Sequence, residues 1–261
     1  MATIHELEKT IDASFNEGEI LNIEGFPRWI THIGPHKLIL DIVTAGKSEN
    51  GELGIASFVV MEQEQTLLLY TAEMITQDIV KHLSEYKPVL LITAESKGSH
   101  FAPWVWNQLA RLIDNQRLIS RIITLRKGEP KVYMNRPVVV DGKEVNGSVE
   151  YHSITSKNPQ LLTISPKDGD LLSKATEVGA ETIIVDDFLG KGGTIVGINH
   201  LFENIGLCAP KIVAAIGSDG ELYKETFYQE GYDITVLPKP LLLRLPTFLR
   251  STPESPWRIY V

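Results

Sequence analysis

The residues best suited to chemistry stand in one stretch, IIVDDFLGKGGT, which ends at Thr194. Two acids, Asp186 and Asp187, close a hydrophobic run, and a glycine-rich turn follows them. Glycines let several backbone N–H groups point into one concavity, and the start of a helix adds its positive end. Such a turn binds a phosphate, and the Thr194 hydroxyl and Lys191 can add direct contacts.

The two acids indicate that the ligand carries more than a phosphate. Asp186 and Asp187 would repel a phosphate at contact distance, so we expect them to face ribose hydroxyls or a magnesium ion. The spacing excludes Gly-x-x-x-x-Gly-Lys-Ser/Thr and Gly-x-Gly-x-x-Gly phosphate loops. A ligand-free turn with the acids as a helix cap leaves the glycines unexplained.

Alternating strand and helix patterns predict the elements that position this stretch. A helix is predicted from Glu73 to Tyr86 behind a cap at Thr71, then a buried strand at Val89–Ile92. A helix face from Phe101 to Ile113 and the strand LISRIITL follow. A second series has strands near 182–185, 211–217 and 233–237 and helices near 194–205 and 221–230. This order predicts an α/β fold with a doubly wound parallel sheet, whose ligands bind at the carboxyl ends of the strands.

The chain divides into three parts by pattern. Residues 1–70 are predicted to form a small accessory or hood region with strands at KLILDIV and IASFVVM, residues 71–240 the core, and residues 241–261 a tail that belongs to the hood. Residues 127–159 are polar and rich in glycine and proline, which indicates a flexible lid. A surface hairpin around Asp141-Gly142 is the alternative.

Composition excludes several classes of protein. With 25 basic and 33 acidic residues, the net charge of −8 disfavours nucleic-acid binding. The single Cys208 cannot form an internal disulfide, and the polar start MATIHELEKTID does not resemble a secretory signal, so we expect a cytoplasmic protein. No apolar run has the length of a membrane span.

The stretch resembles the binding motif for 5-phosphoribosyl 1-diphosphate (PRPP) in type I phosphoribosyltransferases: hydrophobic strand, two Asp, short turn, Gly-Gly-Thr. TAESKGS resembles the pyrophosphate loop of that family, and LRKGEPKVYM with VEYHSITSKNPQLLTIS resembles its flexible loop and the following strand. Together the segments cover about residues 88–237. DDF and the Arg126-Lys127 pair are similar to the adenine and xanthine branch and to the related bacterial purine operon repressor.

The resemblance implies a role for each matching residue. Asp186 and Asp187 would hold ribose hydroxyls, with Asp187 near the sugar cation. No direct protein ligand to a metal is expected, Asp186 being the one carboxylate that could become one. The remaining assignments are the 5-phosphate for Leu189, Gly190, Lys191, Gly192, Gly193 and Thr194, the pyrophosphate for Ser96, Lys97, Gly98, Arg126 and Lys127, and the purine for Phe188 and Phe26. Lys97 and Arg126 would also neutralise charge on the leaving group.

The implied activity is transfer of phosphoribosyl from PRPP to a purine, giving a nucleoside monophosphate and pyrophosphate, with Mg²⁺ as cofactor and a homodimer as the assembly. Lys191 departs from the family, which often has Thr or Ser there. Gly190 replaces the Asp of the hypoxanthine and guanine enzymes. The general base is not identified; the candidates are Glu129, Glu144, Glu150 and His152.

Two rival functions share part of the pattern. A non-catalytic PRPP sensor related to the purine repressor would keep the motif, but residues 1–25 are acidic, the wrong charge for a DNA reader. A receiver-type signalling domain also has paired acids at a strand end, yet leaves the glycines without a role.

Overall fold

The computed structural model describes residues 16–48, 50–57, 65–95, 97–114, 116–128, 137–140, 142–151, 159–219 and 221–260. The helices within these ranges are α1 Gln65–His82, α2 Lys97–Leu112, α3 Pro166–Glu177, α4 Gly193–Asn204 and α5 Leu222–Gln229. None of these described helices is long and apolar enough to cross a membrane. The fold is mixed α/β.

The central sheet has seven strands. In spatial order they are β15 Thr235–Leu237, β13 Ile212–Ala214, β11 Glu181–Val185, β5 Val89–Ala94, β6 Ile123–Gly128, β10 Gln160–Thr163 and β9 Ser148–Tyr151. The pairings from β15 to β6 are parallel, whereas β10 and β9 are antiparallel to their neighbours. The sheet is therefore mixed, where the sequence predicted a parallel one.

Helices cover both faces of this sheet. Every residue of β5 is buried, as expected for a parallel strand covered on both sides. Leu91 packs in the core under α1 and α2, and Leu90 packs in the opposite core under α3, α4 and α5. The carboxyl ends of β5 and β11 consequently emerge next to each other, since these two strands pair in parallel.

A second sheet, which is antiparallel throughout, joins the two ends of the chain. Its order is β1 Gly18–Ile23, β2 Phe26–Ile33, β3 His36–Ser48, β4 Gly51–Ser57, β17 Thr247–Arg250 and β18 Arg258–Ile259. Trp29 and Phe248 pack edge to face with ring centroids 5.5 Å apart. The C-terminal strands thus complete the N-terminal sheet. The division into three parts stays a prediction.

The described residues also form two smaller sheets. The strands β12 Phe188–Leu189, β14 Gly217–Asp219 and β16 Leu243–Leu245 form a parallel sheet, and β7 Pro137–Val140 pairs with β8 Lys143–Asn146 in a hairpin. The two acids separate β11 from β12, and two residues likewise separate β13 from β14. The chain therefore continues past the sheet edge as ordered strand.

The first predicted helix has the wrong bounds. It already includes Gln65, and Thr71 lies within it, donating from Oγ1 to the Leu67 carbonyl at 2.8 Å. Because a threonine hydroxyl can bond within the helix, its presence did not mark a start. Tyr86, predicted on the buried face, lies beyond the helix and is 87% exposed.

Most of the described residues in the predicted lid region belong to strands. The hairpin turns at Gly142, as the alternative predicted, and Val138 and Val140 on β7 are buried. Residues 148–151 form β9 of the central sheet. Glu129, Lys131, Asp141 and His152 lie outside the described residues, so closure of a lid over the site stays a prediction.

Candidate functional site

The two acids predicted to bind the ligand lie where β11 passes into β12. Asp186 and Asp187 are each 8% exposed, and the backbone N–H of Asp187 donates to Asp186 Oδ1 at 3.0 Å. The backbone N–H of Asp186 donates to the Ala214 carbonyl, while the Asp187 carbonyl accepts from Ile216. Backbone hydrogen bonds therefore position both acids at the end of a parallel strand.

The loop after β5 reaches the same point. A Cβ placed on Gly98 would lie 2.7 Å from Asp186 Oδ1 and 3.0 Å from Asp186 Cα, so only glycine lets α2 approach this closely. Ser96 lies outside the described residues. For Lys97 only the backbone is described, and it is the first residue of α2. Two of the three segments predicted to bind PRPP are thus in contact.

The third segment is connected through Lys127 on β6. Lys127 Nζ lies 3.4 Å from Thr194 Oγ1, and the Lys127 backbone N–H donates to Glu95 Oε2 at 3.3 Å. Glu95 belongs to the loop after β5, and Thr194 to the first turn of α4. Lys127 therefore bridges the predicted pyrophosphate loop and the predicted phosphate turn.

The glycine-rich turn ends in a helix without a capping side chain. Gly192 occupies the N-cap position of α4 in a left-handed conformation, with φ 79°. A Cβ there would meet Phe227 Cε1 at 2.6 Å, so the turn is also pressed against α5. Because no side chain caps the helix, its first N–H groups can serve a bound phosphate.

Burial dominates the electrostatics of the site. It raises the pKa of the Asp186 carboxyl, which the positive charge of Lys127 and the Asp187 N–H partly oppose. A charged carboxylate in this enclosed position is stabilised by a cation or by hydroxyl donors. The hydroxyl groups of a ribose or a bound metal ion could therefore stabilise the ionised carboxylate of Asp186.

Tyr151 is a site residue that sequence reasoning missed. It is 4% exposed at the end of β9, and its hydroxyl donates to Gln160 Oε1 at 2.8 Å. Burial raises the pKa of Tyr151 to about 12, opposed by a hydrogen bond with Thr194 and reinforced by the charge of Asp186. Lys127 Nζ lies 5.9 Å from the ring centroid. Tyr151 therefore borders both cationic and anionic parts of the site.

Asp219 is a second residue that the motif did not indicate. It ends β14, one residue after Ser218, which pairs with Leu189 of β12. Burial raises the pKa of the Asp219 carboxyl to about 7. An aspartate that changes charge near neutral pH thus stands beside the strand that leads into the glycine-rich turn.

The structure leaves other predicted contacts without support. Arg126 is exposed on β6 between the buried Leu125 and the half-buried Lys127, so strand alternation directs its side chain away from Lys127. Phe26 opens β2 and is 63% exposed. Phe188 is half-buried in β12, against Gly217. Purine contact by either phenylalanine stays a prediction.

Comparison with known proteins gives structural neighbours only. No family model and no curated protein matches the chain. Adenine phosphoribosyltransferase from Rhodothermus marinus is 14% identical, with a TM-score of 0.46, over 78% of this chain and 93% of that one. The Trypanosoma brucei adenine phosphoribosyltransferase, in complex with AMP, pyrophosphate and ribose-5-phosphate, is 14% identical, with a TM-score of 0.44, over 70% of this chain and 68% of that one.

Asp186 and Asp187 are the two acids of the site that could face a metal ion. The described residues contain no group of three or more His, Cys, Asp or Glu side chains that could hold a metal ion. Mg²⁺ commonly takes one or two carboxylates and completes its shell with substrate phosphates and water. Asp186 and Asp187 fit that pattern.

Proposed function

We propose that this protein transfers the phosphoribosyl group of PRPP to a purine base, releasing pyrophosphate. The observation that carries the proposal is the convergence of three separate segments on one point. Gly98 packs against Asp186, and Lys127 reaches Thr194. These are the segments whose sequences resemble the pyrophosphate, flexible-loop and ribose-phosphate parts of a PRPP site, and their contact is independent of that resemblance.

Each part of PRPP has a matching group. The N–H groups at the start of α4 and the Thr194 hydroxyl bind the 5-phosphate, and the acids Asp186 and Asp187 accept hydrogen bonds from the ribose hydroxyls. Lys127, together with the loop containing Ser96, Lys97 and Gly98, receives the pyrophosphate. The ligand thus lies across the ends of β5 and β11.

The reaction needs opposite charges at the two ends of the breaking bond. As the bond from the anomeric carbon to pyrophosphate breaks, the sugar becomes positive and the leaving group takes the electron pair. Asp187 faces the sugar and Lys127 the leaving group, so their fixed charges stabilise the transition state. Asp186 would hold Mg²⁺, which would neutralise further charge on the pyrophosphate. A purine nitrogen then forms the new bond to the anomeric carbon.

A panel of nucleobases tests the proposal directly. The protein is incubated with PRPP, Mg²⁺ and adenine, hypoxanthine, guanine or xanthine, and nucleotide and pyrophosphate are measured. We expect equal amounts of both products with at least one base. The control variant Asp170→Asn alters an exposed acid on α3, outside the proposed site, and should give the same products as the wild type. PRPP binding without transfer for every base would instead favour the sensor, and absence of binding would contradict both functions.

A further inference from the structure

A cavity of about 740 Å³ lies behind the glycine-rich turn, between α5, β15 and the segment that leads to β16. Its walls include the aromatic rings of Tyr223, Phe227, Tyr228 and Tyr232. Phe227 also contacts the position of Gly192, where a Cβ would lie 2.6 Å from its ring. The cavity is therefore distinct from the PRPP site and shares Phe227 with its back wall.

The volume and the rings suit a flat organic molecule. Small-molecule sites commonly enclose about 300–1,000 Å³ and are lined by apolar and aromatic groups with a few polar ones. Tyr223 and Phe227 are buried, with ring centroids 5.6 Å apart, whereas Tyr228 is 85% exposed at the mouth. The two buried rings form an apolar inner wall of the cavity, and the exposed ring of Tyr228 can stack on an aromatic group that enters it.

Three cations line the same cavity. Lys224 and Arg244 both contact Glu221 Oε1, at 2.6 Å and 3.4 Å. Arg244 Nε is buried and has no hydrogen-bond partner within the described ranges. Lys239 is exposed on the lining and forms no ion pair with a described residue. Asp233 is the acid among the lining residues, and Glu221 pairs with two of the three cations, so Lys239 is the lining cation that offers its charge to an anion.

We infer that this cavity binds an aromatic ring that carries a phosphate, the chemistry of a nucleoside monophosphate. The rings of α5 receive the base, and Lys239 with the exposed part of the Arg244 guanidinium receives the phosphate. A phosphate accepts several hydrogen bonds from an arginine and a lysine at once, more than a single carboxylate does. The inference concerns binding and does not depend on the proposed transfer reaction.

Calorimetry with AMP as the probe tests this site in the full chain. Saturating ribose 5-phosphate is present throughout, so that the glycine-rich turn is occupied if the proposed function is correct. We expect AMP to bind, with adenosine and inorganic phosphate each at least about tenfold weaker, because each retains only one of the two contacts. No AMP binding at millimolar concentration would overturn the inference.

Two exposed positions separate cavity binding from binding elsewhere. Tyr228→Ala removes a stacking ring, and Lys239→Gln removes a charge; we expect AMP affinity to fall at least about fivefold in the first and about two- to fivefold in the second. The matched controls Tyr86→Ala and Lys211→Gln alter exposed residues outside the cavity. Equal AMP affinity in all four variants would overturn the inference, whereas loss of ribose 5-phosphate binding alone would count only against the proposed function.

Discussion

Lys127 Nζ lies 3.4 Å from Thr194 Oγ1, so that a cation at the end of β6 meets the hydroxyl in the first turn of α4. The two residues belong to different chain segments, and the backbone of Lys127 is also bonded to Glu95 in a third. A ligand phosphate that binds at α4 would therefore be in direct reach of this ammonium group. The charge of Lys127 also acts on Asp186, so the pair lies on the same side of the site as this acid.

Substitution of Lys127 should weaken PRPP binding while leaving the fold intact. Lys127→Met keeps most of the side-chain volume and removes the charge that faces Thr194 and Asp186. Because a charge-assisted hydrogen bond contributes about 1.5–3 kcal/mol, we expect PRPP affinity to fall about tenfold or more by calorimetry. Lys167→Met, at an exposed position on α3, is the control. Unchanged affinity in Lys127→Met would remove this residue from the site.

The paired acids should be needed for ligand binding more than for folding. In Asp186→Asn with Asp187→Asn, both side chains keep their shape but accept weaker hydrogen bonds from ribose and no longer attract Mg²⁺. Since burial disfavours the charged form of Asp186, its neutral replacement should not lower the melting temperature. We expect PRPP affinity to fall at least about tenfold.

The control for the paired variant is Asp170→Asn, which should bind PRPP like the wild type. Calorimetry and thermal unfolding on the same samples separate the two effects. If the double variant unfolds at a much lower temperature, the acids have a structural role instead. If it keeps both its stability and its affinity, the ligand assignment is wrong.

Gly98 provides a steric test of the same site. In Gly98→Ala the new methyl group would lie 2.7 Å from Asp186 Oδ1 and 3.0 Å from its Cα, so either α2 or Asp186 must move. Alanine favours helix by about 1 kcal/mol over glycine, which offsets part of the strain. We expect a stability change within about 1 kcal/mol of wild type and a clear loss of PRPP affinity. His100→Ala, on an exposed position of the same helix, should change neither.

The sequence indicated the parts of the site that are contiguous in the chain. Asp186, Asp187 and the glycine-rich turn were predicted together because strand, acids and turn follow one another directly. Tyr151 could not be found in this way, since its contact with Thr194 depends on how β9 pairs with β10 at the antiparallel side of the sheet. β9 is only four residues long and lies among polar residues, so its sequence does not indicate that Tyr151 is buried.

The same limit explains which strand pairings could not be predicted. Buried runs such as β5 and β11 were predicted because a strand covered on both faces is hydrophobic throughout. The pairing of β17 with β4 joins residues from opposite ends of the chain, and the sequence of neither strand indicates which strand it pairs with. The antiparallel direction of β10 could not be predicted either, because the direction of a strand within a sheet depends on the connections before and after it and not on its own residues.

Asp219 should make stability depend on pH near neutrality. Burial raises the pKa of its carboxyl from 3.8 to about 7 in the folded protein. Below about pH 3 the carboxyl is mainly protonated in both the folded and the unfolded protein and does not change the free energy of unfolding. Between about pH 4 and 7 the unfolded chain loses the proton and the folded protein keeps it, so this group lowers the free energy of unfolding as pH rises. Above about pH 7 the cost is complete.

Asp219→Asn should remove this cost, because the amide stays neutral at every pH. We expect the variant to exceed the free energy of unfolding of wild type by less than about 1 kcal/mol at pH 4 and by on the order of 2–4 kcal/mol at pH 8, measured by urea denaturation. The difference between the two proteins cancels the titration of Asp186, which is common to both. Asp170→Asn should show no pH-dependent difference from wild type. A gain for Asp219→Asn that is equal at pH 4 and pH 8 would mean that the residue does not titrate with a raised pKa, and that its place beside β12 leaves it accessible to water.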